Sequence, residues 1–153
     1  MEYIFIILGI VADQCSKHFA LINLSDGPYN VIDNFFSFTL VKNYNGAFGM
    51  FGSVNNLLLP LSVLIAIVCI VFMVKIRKYS YKLLSIAVSF IVSGAIGNII
   101  DRIAKGYVVD FIRVHLFDFP VFNIADILVV VGAFSAVFLL CFTKAGDIFD
   151  NKK

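Results

Sequence analysis

The stretch LLSIAVSFIVSGAIGNIIDRI, residues 83–103, decides the fold. It is as long as a bilayer crossing needs, about 20 residues, and its interior is apolar except for small residues. Ser85, Ser89, Ser93, Gly94 and Gly97 recur along it. Small side chains let helices approach closely in lipid, so helix packing is their default role. The end of the stretch is different, because Asn98, Asp101 and Arg102 interrupt it. A charged side chain in hydrocarbon is costly, which makes such a cluster a candidate functional site.

Working outward, three more segments read as spans: about Tyr3–Leu24, Asn56–Val74 and Val121–Phe142. The first is interrupted by Asp13 and Lys17, and the last opens on Asn123 and Asp126. The whole 153-residue chain is 61% hydrophobic and 14% charged. A soluble domain would carry roughly 25% charged residues, and so small a fold could not hide this much apolar surface without lipid. One integral membrane domain over residues 1–153 is expected, with no separate soluble domain.

Lysine and arginine in the short connections set the orientation. Lys75, Arg77, Lys78 and Lys82 cluster between the second and third spans, and Lys144, Lys152 and Lys153 follow the fourth. Four crossings put that turn and both termini on one side, the cytoplasm. Residues 25–55 and 104–120 then form the outer connections. Phe36-Ser37-Phe38-Thr39-Leu40 alternates with period two, as a half-buried strand does. Tyr107–His115 also reads as extended, and Phe35, Tyr44, Phe48 and Phe51 suit the bilayer interface. The expected architecture is mainly α: four transmembrane helices with a small extracytoplasmic β-sheet cradle.

This topology brings the polar residues to one depth at the outer face. Asp13 and Lys17 are four residues apart, the spacing of a helical ion pair, and serve either architecture or chemistry. Asp101 and Arg102 suit interfacial snorkelling or pairing with a connector. Asn98 could satisfy a neighbouring backbone group, and Asn123 could cap the fourth helix or orient Asp126. Asp126 lacks a cation at helical spacing, and Asp110 and Asp126 flank the short piece leading into that helix. Two close carboxylates cannot both ionise cheaply, so they share a proton, and one then acts as base while the other acts as acid. An aspartic hydrolase is the chemistry this pattern suggests.

Cys15, Cys69 and Cys141 are scattered through apolar stretches, and His18 and His115 are the only histidines. Neither metal-ligand spacing nor a convincing thiol nucleophile follows from them. A serine–lysine pair at Ser16–Lys17 is disfavoured, since adjacent helical residues do not face each other. The alternative of another class is a small proton-coupled transporter or channel subunit. It would spread its carboxylates through the membrane depth and towards both faces.

Five motifs stand in order along the chain: Asp13-Gln14-Cys15-Ser16-Lys17, Asn43-Tyr44-Asn45-Gly46-Ala47-Phe48-Gly49, Gly97-Asn98-Ile99-Ile100-Asp101-Arg102, Val109-Asp110-Phe111 and Phe122-Asn123-Ile124-Ala125-Asp126. Together they resemble the bacterial lipoprotein signal peptidase family, signal peptidase II. The resemblance covers essentially the whole chain. It implies an aspartic endopeptidase of the bacterial cytoplasmic membrane, with Asp110 and Asp126 as its catalytic dyad. It further implies that Asp13, Lys17, Asn43, Asn98, Arg102 and Asn123 support the dyad or substrate, and that Asp101 helps hold the third helix. The implied substrate is a diacylglyceryl-modified prolipoprotein, cut just before its lipidated cysteine. Membrane lipids are the other expected partners; no nucleic acid, no metal, no organic cofactor and no second copy of the chain are expected. One departure stands out: the family usually has glycine two residues after the first asparagine of the second motif, where Asn45 stands here, followed by Gly46. This leaves the roles of Asn45 and Gly46 open.

Overall fold

The computed structural model describes residues 2–44, 55–79, 81–116 and 119–148. Expectations that concern Asn45, Gly46, Phe48 and Phe51 fall outside the described residues. Helices α1 (Glu2–Asn23), α2 (Asn55–Arg77), α3 (Lys82–Lys105) and α4 (Ile124–Phe142) are joined by strands β1 (Tyr29–Ile32), β2 (Phe36–Asn43) and β3 (Val108–Val114). All four helices are long and apolar enough to cross a membrane.

Helix α3 sits at the centre: 61% of its span is buried, against 17–22% for the other three. Its composition explains the position. Ser85, Ser89, Ser93, Gly94, Ala95 and Gly97 are all buried, and each small side chain lets a neighbouring backbone come close. The serine hydroxyls do not stay orphaned there, since Ser89 and Ser93 donate to Ile86 O and Phe90 O at 2.7 and 2.9 Å. The other helices turn their large side chains outward, Phe134, Phe138 and Leu64 among them. Outward apolar surface of this kind is what lipid solvates.

Helix α3 ends at Gly106, whose φ of 79° is left-handed and whose N–H caps Arg102 O at 3.1 Å. Glycine adopts this conformation without strain, so the chain turns sharply into β3. At the opposite end of the bundle, the Arg77 guanidinium donates to the Tyr3 hydroxyl at 2.7 Å. The start of α1 and the end of α2 therefore lie at the same end.

The sheet is antiparallel in the order β1–β2–β3. Its apolar side rests on the end of α1, where Ala20 and Leu24 pack with Phe111 and Ile112, flanked by Phe36 and Phe38. The period-two pattern in β2 predicts buried phenylalanines alternating with exposed polar residues. Ser37 departs from that pattern: it is buried, bonded to His115 Nε2 at 2.8 Å and Thr39 Oγ1 at 3.2 Å. The hydroxyl is tolerated because both partners are polar.

Hydropathy places the fourth span from about Val121, yet helical backbone begins at Ile124. Phe122 is held extended instead, exchanging backbone hydrogen bonds with Ile112 at 2.8 and 3.0 Å. Apolar character alone does not distinguish a strand-like lead-in from a helix turn. The consequence is local but important, because this bridge ties the start of α4 directly to β3.

Candidate active site

Asn123 is the hinge of the site. It caps α4 through a reciprocal pair: its Oδ1 accepts from Asp126 N at 3.0 Å, while its own N–H donates to Asp126 Oδ2 at 3.1 Å. This capping box satisfies two of the donors left open at a helix start. Since the amide oxygen is committed to a backbone N–H, Nδ2 must point elsewhere. It reaches Asp110 Oδ1 at 2.6 Å and Asn98 Oδ1 at 3.3 Å. A residue expected either to cap the helix or to orient Asp126 does both, and it holds Asp110 as well.

Asp110 lies in β3 opposite Val41, two positions along the ladder from the Asn43–Val108 pair. Asn43 Nδ2 donates to Asp110 Oδ2 at 2.7 Å, so each oxygen of this 2%-exposed carboxylate accepts an amide hydrogen bond. Burial nonetheless pushes the Asp110 carboxyl up to about 6 from its ordinary 3.8, and the charge of Asp126 pushes the same way. The amides of Asn43 and Asn123 and the ammonium of Lys17 oppose that rise. Asp126, one turn into α4, takes a further hydrogen bond from Asn98 Nδ2 at 2.8 Å.

Behind the aspartates lies a charge cluster. Lys17 is wholly buried, with its Nζ 2.9 Å from Asp13 Oδ2, 3.2 Å from Asp101 Oδ2 and 2.9 Å from Asn98 Oδ1. A buried ammonium is tolerable only when its donors are all engaged, as they are here. Asp13 uses its other oxygen to accept from Ala125 N at 2.9 Å, which pins the first turn of α4 to α1. Asp101 accepts from Val109 N at 3.0 Å and pairs with Lys105 Nζ at 2.7 Å. Of the two readings open for Asp101, snorkelling and pairing with a connector, the structure shows the second: it is fully buried and joins α1, α3 and β3. Asn98, which could have served a backbone group, instead links two side chains, Lys17 and Asp126.

Arg102 shares the wall of one cavity with Asn43, Asn98, Asp110 and Asp126; its volume is about 350 Å³. Ile65, Val108, Val129 and Val130 make the remainder of that wall largely apolar. The nine candidate residues thus form a single connected region at one end of the bundle. Three contributors escaped the sequence reading. Gln14 donates from Nε2 to Asp13 Oδ2 at 3.0 Å and Gly97 O at 3.1 Å. Ser62 accepts from Arg102 at 3.3 Å. Gly97 faces the Asp13 carboxylate so closely that a β-carbon there would collide with Oδ2. Gln14 and Gly97 are visible as members of motifs, whereas Ser62 stands out in the sequence only as an exception, with Pro60, in an almost uniformly apolar span. Among the described residues, no three His, Cys, Asp or Glu side chains gather in a metal-holding group.

The surroundings suit acid–base chemistry: two carboxylates, each held by fixed amide donors, share the wall of one largely apolar cavity. Known proteins agree with the architecture. Residues 5–142 match the family model described as signal peptidase (SPase) II. The lipoprotein signal peptidase of Clostridium novyi is 48% identical over 145 residues, 92% of this chain and 97% of that protein. The lipoprotein signal peptidase of Clostridium tetani is 43% identical over 157 residues, 100% and 98% of the two chains. A bacterial membrane enzyme solved in meso at 2.3 Å superposes with a TM-score of 0.83 at 27% identity, covering 99% of this chain and 92% of that one. A match spanning the helices, the sheet and every candidate residue leaves no part of the site outside the likeness, and the chain, a multi-pass membrane peptidase, belongs to the signal peptidase II family.

Proposed function

We propose that residues 1–153 form one intramembrane aspartic endopeptidase domain that removes signal peptides from diacylglyceryl-modified prolipoproteins. The observation that carries the aspartic chemistry is Asn123, which bonds to both Asp110 and Asp126 and so holds two carboxylates on one cavity wall. The charge count agrees with a shared proton. Asp13, Asp101, Asp110 and Asp126 face Lys17, Lys105 and Arg102, so the cluster is neutral when the dyad holds one proton. Neutrality lowers the cost of keeping the cluster at membrane depth.

In the proposed reaction, the ionised dyad member takes a proton from water as the water oxygen attacks the scissile carbonyl carbon. The protonated member donates to the carbonyl oxygen, which becomes a hydroxyl in the tetrahedral intermediate. Collapse of that intermediate breaks the C–N bond: one of its hydroxyls returns a proton to the now ionised member, and the other member's proton passes to the leaving nitrogen, which restores the singly protonated dyad. The products are the freed signal peptide and a new amino terminus on the lipidated cysteine. The apolar residues Ile65, Val129 and Val130 beside Asp126 suit acyl chains, so the lipid anchor would hold its peptide bond at the depth of the pair.

The proposed setting is the bacterial cytoplasmic membrane, with both termini cytoplasmic and the site near the outer face. The basic residues Lys75, Arg77, Lys78 and Lys82, at the bundle end remote from the aspartates, support it. A proton-coupled transporter would distribute its carboxylates through the membrane depth, and these gather at one end. The test is Asp110→Asn and Asp126→Asn in purified, folded protein, with lipidated and unlipidated substrate in parallel. Either variant should lose ~10²–10⁴-fold in cleavage rate. Near-normal turnover by either would refute the dyad, and equal cleavage of both substrates by the wild type would refute lipid selectivity.

A further inference from the structure

Arg102 lines the cavity that holds both aspartates, yet among the described residues it forms an ion pair with neither of them. Its NH1 donates instead across the bundle to Ser62 Oγ on α2, at 3.3 Å. The hydroxyl is set up to accept, because its own proton goes to Leu58 O at 2.8 Å, one turn earlier in α2. Ser62 is thus a fixed acceptor and, among the described residues, the one polar side chain that α2 contributes to this cavity.

We infer that Ser62 is a positioning residue, which ties the Arg102 guanidinium to α2 and holds it off the Asp110–Asp126 pair. This rests on the proposed aspartic chemistry and adds to it a reason why the pair can keep its proton. A guanidinium is always charged and pairs with carboxylates in a two-point fork. Closed onto either aspartate, it would favour the doubly ionised pair and remove the acid that the reaction needs. The other charges around the pair are already committed. From α1, Lys17 is divided among Asp13, Asp101 and Asn98. From α3, Lys105 is held by Asp101, and from β2, Lys42 lies over the Tyr107 ring. Among the described residues Arg102 is the one cation on the cavity wall, and Ser62 is its hydrogen-bond partner there.

The experiment compares Ser62→Ala and Ser62→Thr, each alone and combined with Arg102→Ala, by two readouts. One is kcat/KM against pH with lipidated substrate; the other is the melting midpoint against pH in detergent, without substrate. Ser62→Ala should move the descending limb of the activity profile, and the proton-linked fall in melting midpoint, to lower pH by ~1 unit. That shift corresponds to about a tenfold loss of kcat/KM above the limb and little loss below it. Ser62→Thr keeps the hydroxyl and should behave as wild type, and Ser62→Ala should shift nothing further once Arg102 is alanine. Unshifted profiles in Ser62→Ala, failure of Thr to restore them, or the same shift without Arg102 would each overturn the assignment. Absence of cleavage by the wild type would count against the proposed activity, while the substrate-free melting series would still decide the role of Ser62.

Discussion

Lys17 dictates which way the Asn98 amide faces. Its Nζ lies 2.9 Å from Asn98 Oδ1, and an ammonium can only donate, so Nδ2 is turned to Asp126 Oδ1 at 2.8 Å. A lysine with no contact to Asp126 thereby determines what that aspartate meets. Lys17→Met should act in two ways. It leaves Asp13 and Asp101 buried without their shared cation, which costs about 3–5 kcal/mol for a broken buried pair. It also frees the Asn98 amide to rotate, so activity per folded molecule should fall as well. Denaturation midpoints together with turnover normalised to folded protein check both effects; an unchanged midpoint would refute the buried-pair account.

Asn123→Ala and Asn123→Ser separate the two tasks of the α4 cap. Alanine removes the side-chain acceptor for Asp126 N and should cost about 1 kcal/mol. Serine keeps a capping oxygen but has no amide to reach Asp110 from that position. Serine should therefore restore most of the stability and little of the activity. If it restored both, the bond from Asn123 to Asp110 would be irrelevant to turnover.

Asp110 makes stability depend on pH in a definite direction. Its carboxyl titrates at about 6 in the folded protein, against an ordinary value of 3.8. Between those values the folded chain holds a proton that the unfolded chain has released. Its contribution to stability is thus fully present below pH ~4 and is lost as pH rises through ~6. Asp110→Asn cannot ionise and lacks this dependence. The variant should gain on the wild type by about 2–3 kcal/mol between pH 4 and pH 7. Melting curves of the two proteins across that range test it, and parallel curves would show that Asp110 does not titrate there.

Much of this arrangement is legible in the sequence because lipid simplifies the reading. Apolar runs of bilayer length announce four helices, and polar residues within them stand out as costs requiring a reason. Asp110 and Asp126 follow from position and family motifs together. What stays hidden is the set of contacts made across the bundle. Ser62 looks like one more small residue in an apolar helix, and only packing of α2 against α3 gives it Arg102 as a partner. Asp101, near the end of a span, reads equally as interfacial or as paired with a connector, and only the fold of β3 back over it, donating Val109 N, decides for the second. The start of α4 is misplaced by hydropathy for a related reason: Phe122 is apolar, but Ile112 claims its backbone for the sheet.

Gly97 carries the last prediction, since its role depends on a single close approach. A β-carbon at this position would strike the Asp13 carboxylate while meeting the Ala125 methyl only at ordinary contact distance. Asp13 holds the first turn of α4 through Ala125 N, one residue before Asp126. Gly97→Ala should therefore displace Asp13, disturb the start of α4, and lower both stability and turnover. The size of an overpacking penalty is typically about 1–3 kcal/mol. Packing alone would give the same sign, so the decisive measurement is the double variant. Asp13→Ala removes the group that is struck, so the extra cost of Gly97→Ala should largely vanish in that background. Additive losses in the two single variants and the double would mean that the alanine collides elsewhere, and that Gly97 does not exist to admit Asp13.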